Sequence, residues 1–389
     1  MKKNTVTNKI SLLIFVLIGA LSCSKAYCLT DSTKSKRVKN IDFRTERPVG
    51  LYFNRLEGYT PFFYEDMVFK NLNKLNVIAN VNYATHKNNL TYFLEVNYPI
   101  FKGKVTLGGS YFDKYTSNES WTLSRVTNTL AGIFAGKDYW NYYDTRGFSF
   151  PIRYLINKNT SFELKYIRFD YRDLGDSANF AKPLFRDTKG FRVNPSIEEA
   201  KQNALEFRFS FNNISDSPFF GRRGWFSQIT LRNEYGDLIN RSLNIASGGY
   251  IPTWLDQRFY IAGRLIMNDG DYKQQYLYSF GGMGVMRALD PYSNIGQNLG
   301  YGNIEYQFSR ILKSKKYWMK PVLFGEIGKI WDSSNVPVLV EHNDIITIAG
   351  IGLIFREIRF NLARQIEGSG KWQFSLNINS NSFKSKQNN

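Results

Sequence analysis

Thiol and imidazole side chains are nearly absent from this chain of 389 residues. Cysteine occurs only as Cys23 and Cys28, and histidine only as His86 and His342. Because both cysteines lie in or beside an export signal, the sequence predicts no structural disulfide and no thiol chemistry in the mature protein. The two histidines stand far apart in polar contexts, which argues against a histidine metal site or a serine–histidine triad. No cofactor is predicted.

Long apolar runs are also missing once the first residues are passed. The mean hydropathy is -0.37 and 22% of the residues are charged, so the sequence argues against a helical membrane protein. It also contains no Walker-type phosphate loop, no HExxH element and no GxSxG element. We therefore predict that the protein is not an enzyme.

Aromatic side chains and positive charge are what the sequence has in abundance. Aromatic residues make up 16% of the chain, a content that suits strands and membrane interfaces. The formal net charge is +18, but the lysines and arginines are scattered through strand-like segments. An exported protein with this charge meets lipopolysaccharide and anionic lipid phosphates first. Outer-membrane lipids are therefore predicted partners, and nucleic acid is not.

The N-terminus has the parts of a secretory signal peptide. Lysines at positions 2, 3 and 9 precede the apolar run 10–21, and small residues follow it. We assign residues 1–28 to this signal. Cleavage after Ala26 or Cys28 fits the small-residue rule, and Cys23 offers an alternative lipoprotein site. Residues 29–46 are basic and polar, and are predicted to be a flexible lead-in.

From Arg47 onward the sequence alternates with a period of two. Between Leu205 and Phe211, for example, every second residue is Leu or Phe and the residues between them are Glu, Arg and Ser. The runs predicted as strands are 47–56, 74–85, 90–100, 103–115, 146–157, 160–172, 203–213, 223–236, 241–252, 257–268, 274–281, 298–309, 318–331, 344–355, 357–366 and 371–383.

These runs predict an all-β fold, a transmembrane antiparallel β-barrel of about 16 strands. The barrel is expected over residues 47–383, with a polar tail at 384–389. Export and length favour a barrel over a soluble sandwich, whose strands would alternate as well. Closure of the sheet is expected because hydrocarbon tolerates no unpaired sheet edge.

Two segments do not fit a plain barrel. Residues 118–134 carry four apolar residues at helical spacing, which predicts a short amphipathic helix with its stripe against the membrane surface or the barrel mouth. The four are Leu123, Val126, Leu130 and Ile133. The aromatic run 138–143 suits a membrane interface. The strand count places this segment and the turn-rich segment 174–202 on the periplasmic side, so either a strand is miscounted or that face is unusually built.

A glycine-dense loop leads into one of the later strands. Gly281 and Gly282 open the loop, and a single cation, Arg287, projects from it. The strand that follows contains Glu305, Tyr306 and Phe308. This layout resembles the inward-folded loop of the bacterial surface antigen barrels, the BamA/TamA-like outer-membrane proteins. In that family a glycine pair precedes a Val-Arg-Gly-aromatic tetrad and a Glu-Tyr-x-Phe strand follows; here the tetrad, 286–289, keeps only the arginine at its centre.

The resemblance extends to a second strand and to the overall organisation. Residues 323–331 resemble the strand whose acidic residue meets the loop arginine, which implies that Glu326 pairs with Arg287 inside the lumen, although the family commonly has Asp there. The helix-plus-tyrosine pattern resembles the subgroup that lacks periplasmic polypeptide-transport-associated domains, for which the lead-in leaves no room. This favours the unusually built periplasmic face over a miscounted strand.

The resemblance implies a bacterial outer-membrane protein that aids insertion or export of proteins or lipids. Its expected partners are unfolded outer-membrane proteins or a separate periplasmic subunit, besides membrane lipids and lipopolysaccharide. The alternative is a passive outer-membrane pore, in which lumenal cations such as Arg208 and Arg359 favour anions. An outer-membrane lipase is a third hypothesis, and the lack of a nucleophile–histidine pair argues against it.

Overall fold

The computed structural model describes residues 40–45, 48–175, 180–185, 187, 191–217, 221–254, 256–311, 319–332, 345–355, 358–367 and 370–378. The predicted signal peptide, most of the lead-in and the polar tail lie outside these ranges. Among the described residues, no helix is both long and apolar enough to cross a membrane.

Strands dominate the described chain. They are β1 (Ile41–Phe43), β2 (Val49–Asn54), β3 (Gly58–Phe69), β4 (Leu75–Ala84), β5 (Asn89–Ile100), β6 (Val105–Thr116), β7 (Tyr143–Asn157), β8 (Thr160–Arg172), β9 (Ala200–Asn212), β10 (Ser215–Ser217), β11 (Gly221–Gly236), β12 (Asn240–Pro252), β13 (Arg258–Gly270), β14 (Tyr278–Phe280), β15 (Asn294–Gly296), β16 (Asn298–Gln307), β17 (Met319–Trp331), β18 (Ile346–Phe355), β19 (Ile358–Gln365) and β20 (Gln373–Ile378).

The large sheet is an antiparallel meander in which each strand pairs with the next one along the chain. It contains 18 of the strands, and β14 pairs with β15 in a separate small sheet. β1 and β2 both pair with β3 and form one broken strand, and β10 continues the hairpin of β9 with β11. Counting each of these two composites once gives 18 − 2 = 16 strand positions. The predicted barrel-type sheet of about 16 strands is confirmed, and it begins at Ile41, inside the predicted lead-in.

The strand count was right although one strand was missed and one predicted strand was wrong. β3 was missed, because Pro61 and the adjacent acids Glu65 and Asp66 break its alternation; all three nevertheless pair in register with neighbouring strands. The predicted strand 274–281 is instead a 3-10 turn, Gln274–Tyr276, followed by the short β14. The missed strand and the false strand leave the number of strands unchanged. The strands between them, however, are predicted to run in the wrong direction.

The missed strand reverses the predicted side of the long connections. With β3 in place, the strands that precede the segments 117–142, 173–199 and 271–297 run toward the same end of the barrel as β2. The three segments therefore share this end with the first hairpin turn, 55–57. We call this the distal end. β1 starts at the opposite end, and β20 runs toward that opposite end. The strand count that placed the segments 118–134 and 174–202 on the periplasmic side is therefore wrong because it lacked β3, and the described residues of both segments lie opposite the start of β1 and the end of β20.

Alternation along the strands separates a buried inner face from an apolar outer face. In β17 the side chains of Val322, Phe324 and Glu326 are buried, whereas Leu323 and Ile327 are 49% and 47% exposed. This is the arrangement expected of a barrel wall whose outer face meets lipid.

The helix in the first long segment is shorter and more polar in its contacts than predicted. Helix α1 spans Arg125–Leu130, with Ser124 as its N-cap, and continues as a π-helical turn, Ala131–Ala135. Within α1 the buried residues are Thr127 and Asn128. Of the predicted stripe, Leu123 just before the helix is buried and Ile133 packs against a buried cluster, whereas Val126 and Leu130 are partly exposed. The aromatic run 138–143 is also buried among the distal segments and does not form a membrane-interface cluster. Both differences arise because the segment folds inward.

Candidate functional site: the lumenal plug and the seam

Arg287 is the innermost anchor of the distal segment 271–297. Its backbone N–H donates to Glu326 Oε2 at 2.9 Å, and its Nε donates to Glu326 Oε1 at 3.1 Å. The guanidinium carbon lies 3.7 Å from the centroid of the Phe324 ring. Arg287 and Glu326 are both nearly inaccessible, at 4% and 3% exposure. The structure thus brings together the two residues that the sequence paired.

A second carboxylate and a second arginine complete this cluster. Arg287 Nη2 lies 3.2 Å from Glu305 Oε1, and Arg359 Nη1 lies 2.8 Å from the same oxygen. Two arginines therefore meet two glutamates, and the buried cluster has no net charge. Glu305 was singled out as part of the strand, but its role as a partner was missed. Alternation was the available signal, because it turns Glu305 inward on β16.

Burial and the two carboxylates act on the Arg287 guanidinium in opposite directions. Loss of solvent alone lowers the pKa of Arg287, but Glu326 and then Glu305 outweigh it, so the pKa is raised above the ordinary arginine value. The two carboxylates therefore favour the charged guanidinium on which the loop anchor depends.

The other predicted residues of this stretch divide by face. Tyr306 is on the outer face of β16, where its hydroxyl donates to Gln257 Oε1, and the Phe308 ring packs edge-on against it at 4.9 Å. Neither reaches the Arg287 cluster. Gly281 and Gly282 both have positive φ, at 119° and 103°, and a Cβ at 282 would lie 2.8 Å from the Tyr139 ring. Glycine is needed at both positions.

The tip of the loop fills the lumen with apolar side chains. Phe280, Val285 and Met286 pack in one buried cluster with side chains from the inner faces of the neighbouring strands. Gly328 on β17 leaves the space that Met286 occupies, since a Cβ there would lie 2.9 Å from the Met286 sulfur. The loop is therefore packed against the wall as well as bonded to it.

A second buried arginine, missed by the sequence analysis, ties the first hairpin turn to the other segments. Arg55 is fully buried, its Nη1 lies 3.4 Å from Asp138 Oδ1, and it donates to the carbonyl of Trp140 at 2.7 Å. Its Nη2 donates to Asn194 Oδ1 at 3.3 Å. The Asn194 amide in turn donates to the carbonyl of Tyr142 at 2.7 Å. One arginine thus joins the turn, the segment 117–142 and the segment 173–199.

The segments 117–142 and 271–297 also contact each other directly. Asn118 Nδ2 donates to the carbonyls of Gln275 and Leu277 at 2.7 and 3.0 Å. The backbone of Gly284 approaches Thr122 so closely that a Cβ at 284 would lie 1.5 Å from its carbonyl oxygen. We call the described residues of the interlocked segments 117–142, 173–199 and 271–297 the lumenal plug.

Glu119 illustrates how the plug treats an unpaired acid. Its carboxylate accepts hydrogen bonds from the Asn141 N–H at 3.1 Å and from the Ser117 hydroxyl at 2.9 Å, and burial raises the pKa of Glu119. Within the described ranges, no group of three or more His, Cys, Asp or Glu side chains is placed to hold a metal ion. The plug residues bond to one another and present no built metal site.

The cations proposed to attract anions are not free. Arg208 lies 2.6 Å from Glu206 and 3.4 Å from Glu163 on the inner wall. Arg359 is paired with Glu305 in the plug cluster. Both named cations therefore have carboxylate partners. They line or approach the lumen, but their charge is largely compensated.

The geometry is similar to that of a solved outer-membrane barrel. The crystal structure of BamA from Haemophilus ducreyi lacking POTRA domains 1–3 matches this chain with a TM-score of 0.59 at 15% identity, over 87% of this chain and 70% of that one. The chain has the fold of the BamA barrel. CdiB from Acinetobacter baumannii gives a TM-score of 0.44 at 12% identity (87% and 58% of the two chains), and CdiB from Escherichia coli gives 0.46 at 10% (88% and 62%). No protein-family model and no curated protein sequence matches the chain.

The seam is the second notable feature of this BamA-type barrel. We use the word for the junction between β2, at the start of the sheet, and β20, at its end. Among the described residues β2 forms its ladder with β3 and β20 forms its ladder with β19, and no ladder joins β2 to β20. Each of the two strands therefore has one edge that no strand of the described chain covers.

Proposed function

We propose that this protein is an integral outer-membrane barrel that assists the insertion or export of other proteins. The observation that carries the proposal is the BamA-type fold with two strand edges at its seam that no described strand covers. The predicted signal peptide and the apolar outer face of the strands support the outer-membrane location. Membrane lipids, lipopolysaccharide and unfolded outer-membrane proteins, delivered directly or by a periplasmic subunit, are its proposed partners.

Strand edges provide the chemistry that such a role requires. A backbone N–H or C=O without a partner costs several kcal/mol in hydrocarbon, so a polypeptide entering the membrane as a strand needs an edge to pair with. Pairing by added strands supplies main-chain hydrogen bonds independently of side-chain sequence. The edges of β2 and β20 would offer such a template to an incoming strand.

The location and the barrel are tested together by fractionation and gel mobility. The protein should be found in the outer-membrane fraction, resist extraction by alkaline carbonate, and migrate differently on a gel before and after boiling. These results are expected because the strand ladder of a membrane barrel resists detergent until heated. Identical mobility together with carbonate extraction would contradict the location.

The activity is tested with liposomes that contain the purified protein. A urea-unfolded eight-stranded outer-membrane protein is added as the client, and its folding is followed by the appearance of the heat-modifiable band. We expect folding to be faster than in liposomes containing an unrelated closed barrel at the same protein-to-lipid ratio. Equal rates in the two preparations would overturn the proposed activity while leaving the location intact.

A further inference from the structure

Both strand edges at the seam are bonded to the same helix. The N–H of Phe53 in β2 donates to Thr129 Oγ1 at 3.2 Å, and the N–H of Ile378 in β20 donates to Thr127 Oγ1 at 2.9 Å. These two donors point away from β3 and β19 and into the seam. Helix α1 therefore bridges two strands that no described ladder joins.

The helix engages the acceptor of the last strand as well as its donor. Ser124 Oγ donates to the carbonyl of Ile378 at 2.8 Å, and Thr127 Oγ1 donates to Asn377 Oδ1 at 3.0 Å. Each hydroxyl has one proton, so these two bonds use both protons and leave a lone pair of Thr127 for the Ile378 N–H. Bonding the N–H and the C=O of one residue is what a partner residue does in an antiparallel ladder. Side-chain hydroxyls replace a strand here.

Packing holds the helical segment close to the first strand. A Cβ at Gly132, in the π-helical turn, would lie 2.9 Å from the Phe53 ring. The Arg125 guanidinium lies 4.7 Å from the centroid of the Tyr52 ring. Thr127, between these contacts, is only 1% exposed. The Thr127 hydroxyl is thus shielded from competing water.

We propose that α1 is a latch on the seam. Its hydroxyls occupy the edges of the first and last strands, so the helix must leave before either edge pairs with the other or with an extended segment of a client. The latch is inferred from these contacts alone. Competition between the helix and a client rests, in addition, on the proposed function.

Hydrogen exchange of the folded protein in lipid nanodiscs tests the latch. The double variant Thr127→Val and Thr129→Val keeps the side-chain shape and removes both hydroxyls. Peptides that contain Phe53 and Ile378 should exchange roughly two- to tenfold faster, the effect of losing one ordinary hydrogen bond at each amide. Thr122→Val is the matched control, because the Thr122 hydroxyl donates to the Glu119 carbonyl in the same segment and bonds to neither strand in the described structure.

The controls separate a latch from general destabilisation. Exchange in the β11–β12 ladder and the heat-modifiable band should be the same in the double variant and the wild type. Unchanged exchange at both seam peptides would overturn the latch, and so would faster exchange spread evenly over the barrel. A single Thr129→Val variant, which leaves Ser124 and Thr127 in place, should affect the Phe53 peptide and not the Ile378 peptide.

The client-folding assay tests whether the helix and a client compete for the strand edges. Liposomes with the double variant should fold the client faster than liposomes with the wild type. Deprotected seam peptides with an unchanged client rate would overturn competition between helix and client. If the wild type does not accelerate folding at all but the seam peptides respond as expected, the proposed function fails and the latch stands.

Discussion

At the scale of single residues, the strength of the Arg287 anchor depends on burial and not on distance. The Arg153–Glu163 pair on the inner wall is shorter, at 2.6 Å against 3.1 Å for Arg287–Glu326, but the Arg153 side chain is 49% exposed. Solvent-exposed pairs contribute about 0 to 1 kcal/mol, because water screens them and competes for their hydrogen bonds. Breaking a buried pair strands a charge and costs roughly 3 to 5 kcal/mol.

This contrast predicts the outcome of a double-mutant cycle. Arg287→Ala and Glu326→Ala should each lower the free energy of unfolding by roughly 3 to 5 kcal/mol, and the double variant should lose clearly less than the sum because no charge of that pair is left alone. Urea unfolding in detergent measures the three variants. Arg153→Ala is the control and should cost about 1 kcal/mol or less. Simple additivity of the two losses would mean that the residues are not coupled.

The sequence located one buried arginine and missed the other for a physical reason. Arg287 lies in a glycine-dense loop whose layout resembles a known family, and alternation along β17 turns Glu326 inward. Arg55 lies in a short turn, and its partners Asp138 and Asn194 are 83 and 139 residues away along the chain. No local periodicity relates residues so far apart. Only the folding of the distal segments into the lumen brings them together.

At the scale of elements, the lumenal plug depends on close backbone contact between its segments. The carbonyl of Thr122 occupies the place that a Cβ at residue 284 would need, only 1.5 Å away. A clash with backbone cannot be relieved by a side-chain rotation, so one segment must shift. Gly300 in β16 is different, because a Cβ there would meet the Trp331 ring at an ordinary 3.6 Å.

Gly284→Ala should therefore loosen the plug, whereas Gly300→Ala should not. We expect the first variant to lose about 1 to 3 kcal/mol of stability, the usual cost of overpacking, and to be cleaved faster by protease within 117–142 and 271–297. Limited proteolysis of the two variants and the wild type in detergent measures the difference. Equal cleavage of both variants would show that the two segments are not held in contact.

Elements could be predicted where one face is apolar and the other is polar. The prediction failed for β3 and for the buried residues of α1, where polar side chains interrupt that pattern. β17 and β16 alternate as expected. Pro61 and two adjacent acids interrupt the apolar alternation of β3. Helix α1 buries Thr127 and Asn128, whose side chains bond to Asn377 and Asp138. Apolar periodicity identifies a face that meets lipid or other apolar side chains. It gives no signal for a segment that is held by hydrogen bonds. The predicted apolar stripe therefore gave a helix in nearly the right place but did not show that Thr127 and Asn128 are buried in it.

At the scale of the whole molecule, the distal segments determine whether the lumen is open. Three long segments share one end and turn inward, and two buried arginines fasten them to the wall and to each other. The inner faces of β5 to β9 and of β11 line a polar cavity of about 420 Å³. Its lining contains five Lys or Arg and three Glu side chains, a net charge of 5 − 3 = +2. The wall is cationic, but the described plug stands in the path through it.

This arrangement predicts a barrel that is mostly closed and, when opened, favours anions. Wild-type protein in a planar bilayer should show little steady conductance, because the anchored plug fills the lumen. Arg287→Ala frees the innermost anchor and should give frequent open events, whose reversal potential under a KCl gradient should indicate chloride preference, since fixed positive charge raises the local anion concentration. Arg146→Ala is the control: its side chain is 51% exposed and bonds to Tyr111 on the outer face, so it should stay closed. Large steady conductance in the wild type would mean that the segments do not block the lumen, and the passive pore would then be the better account of this protein.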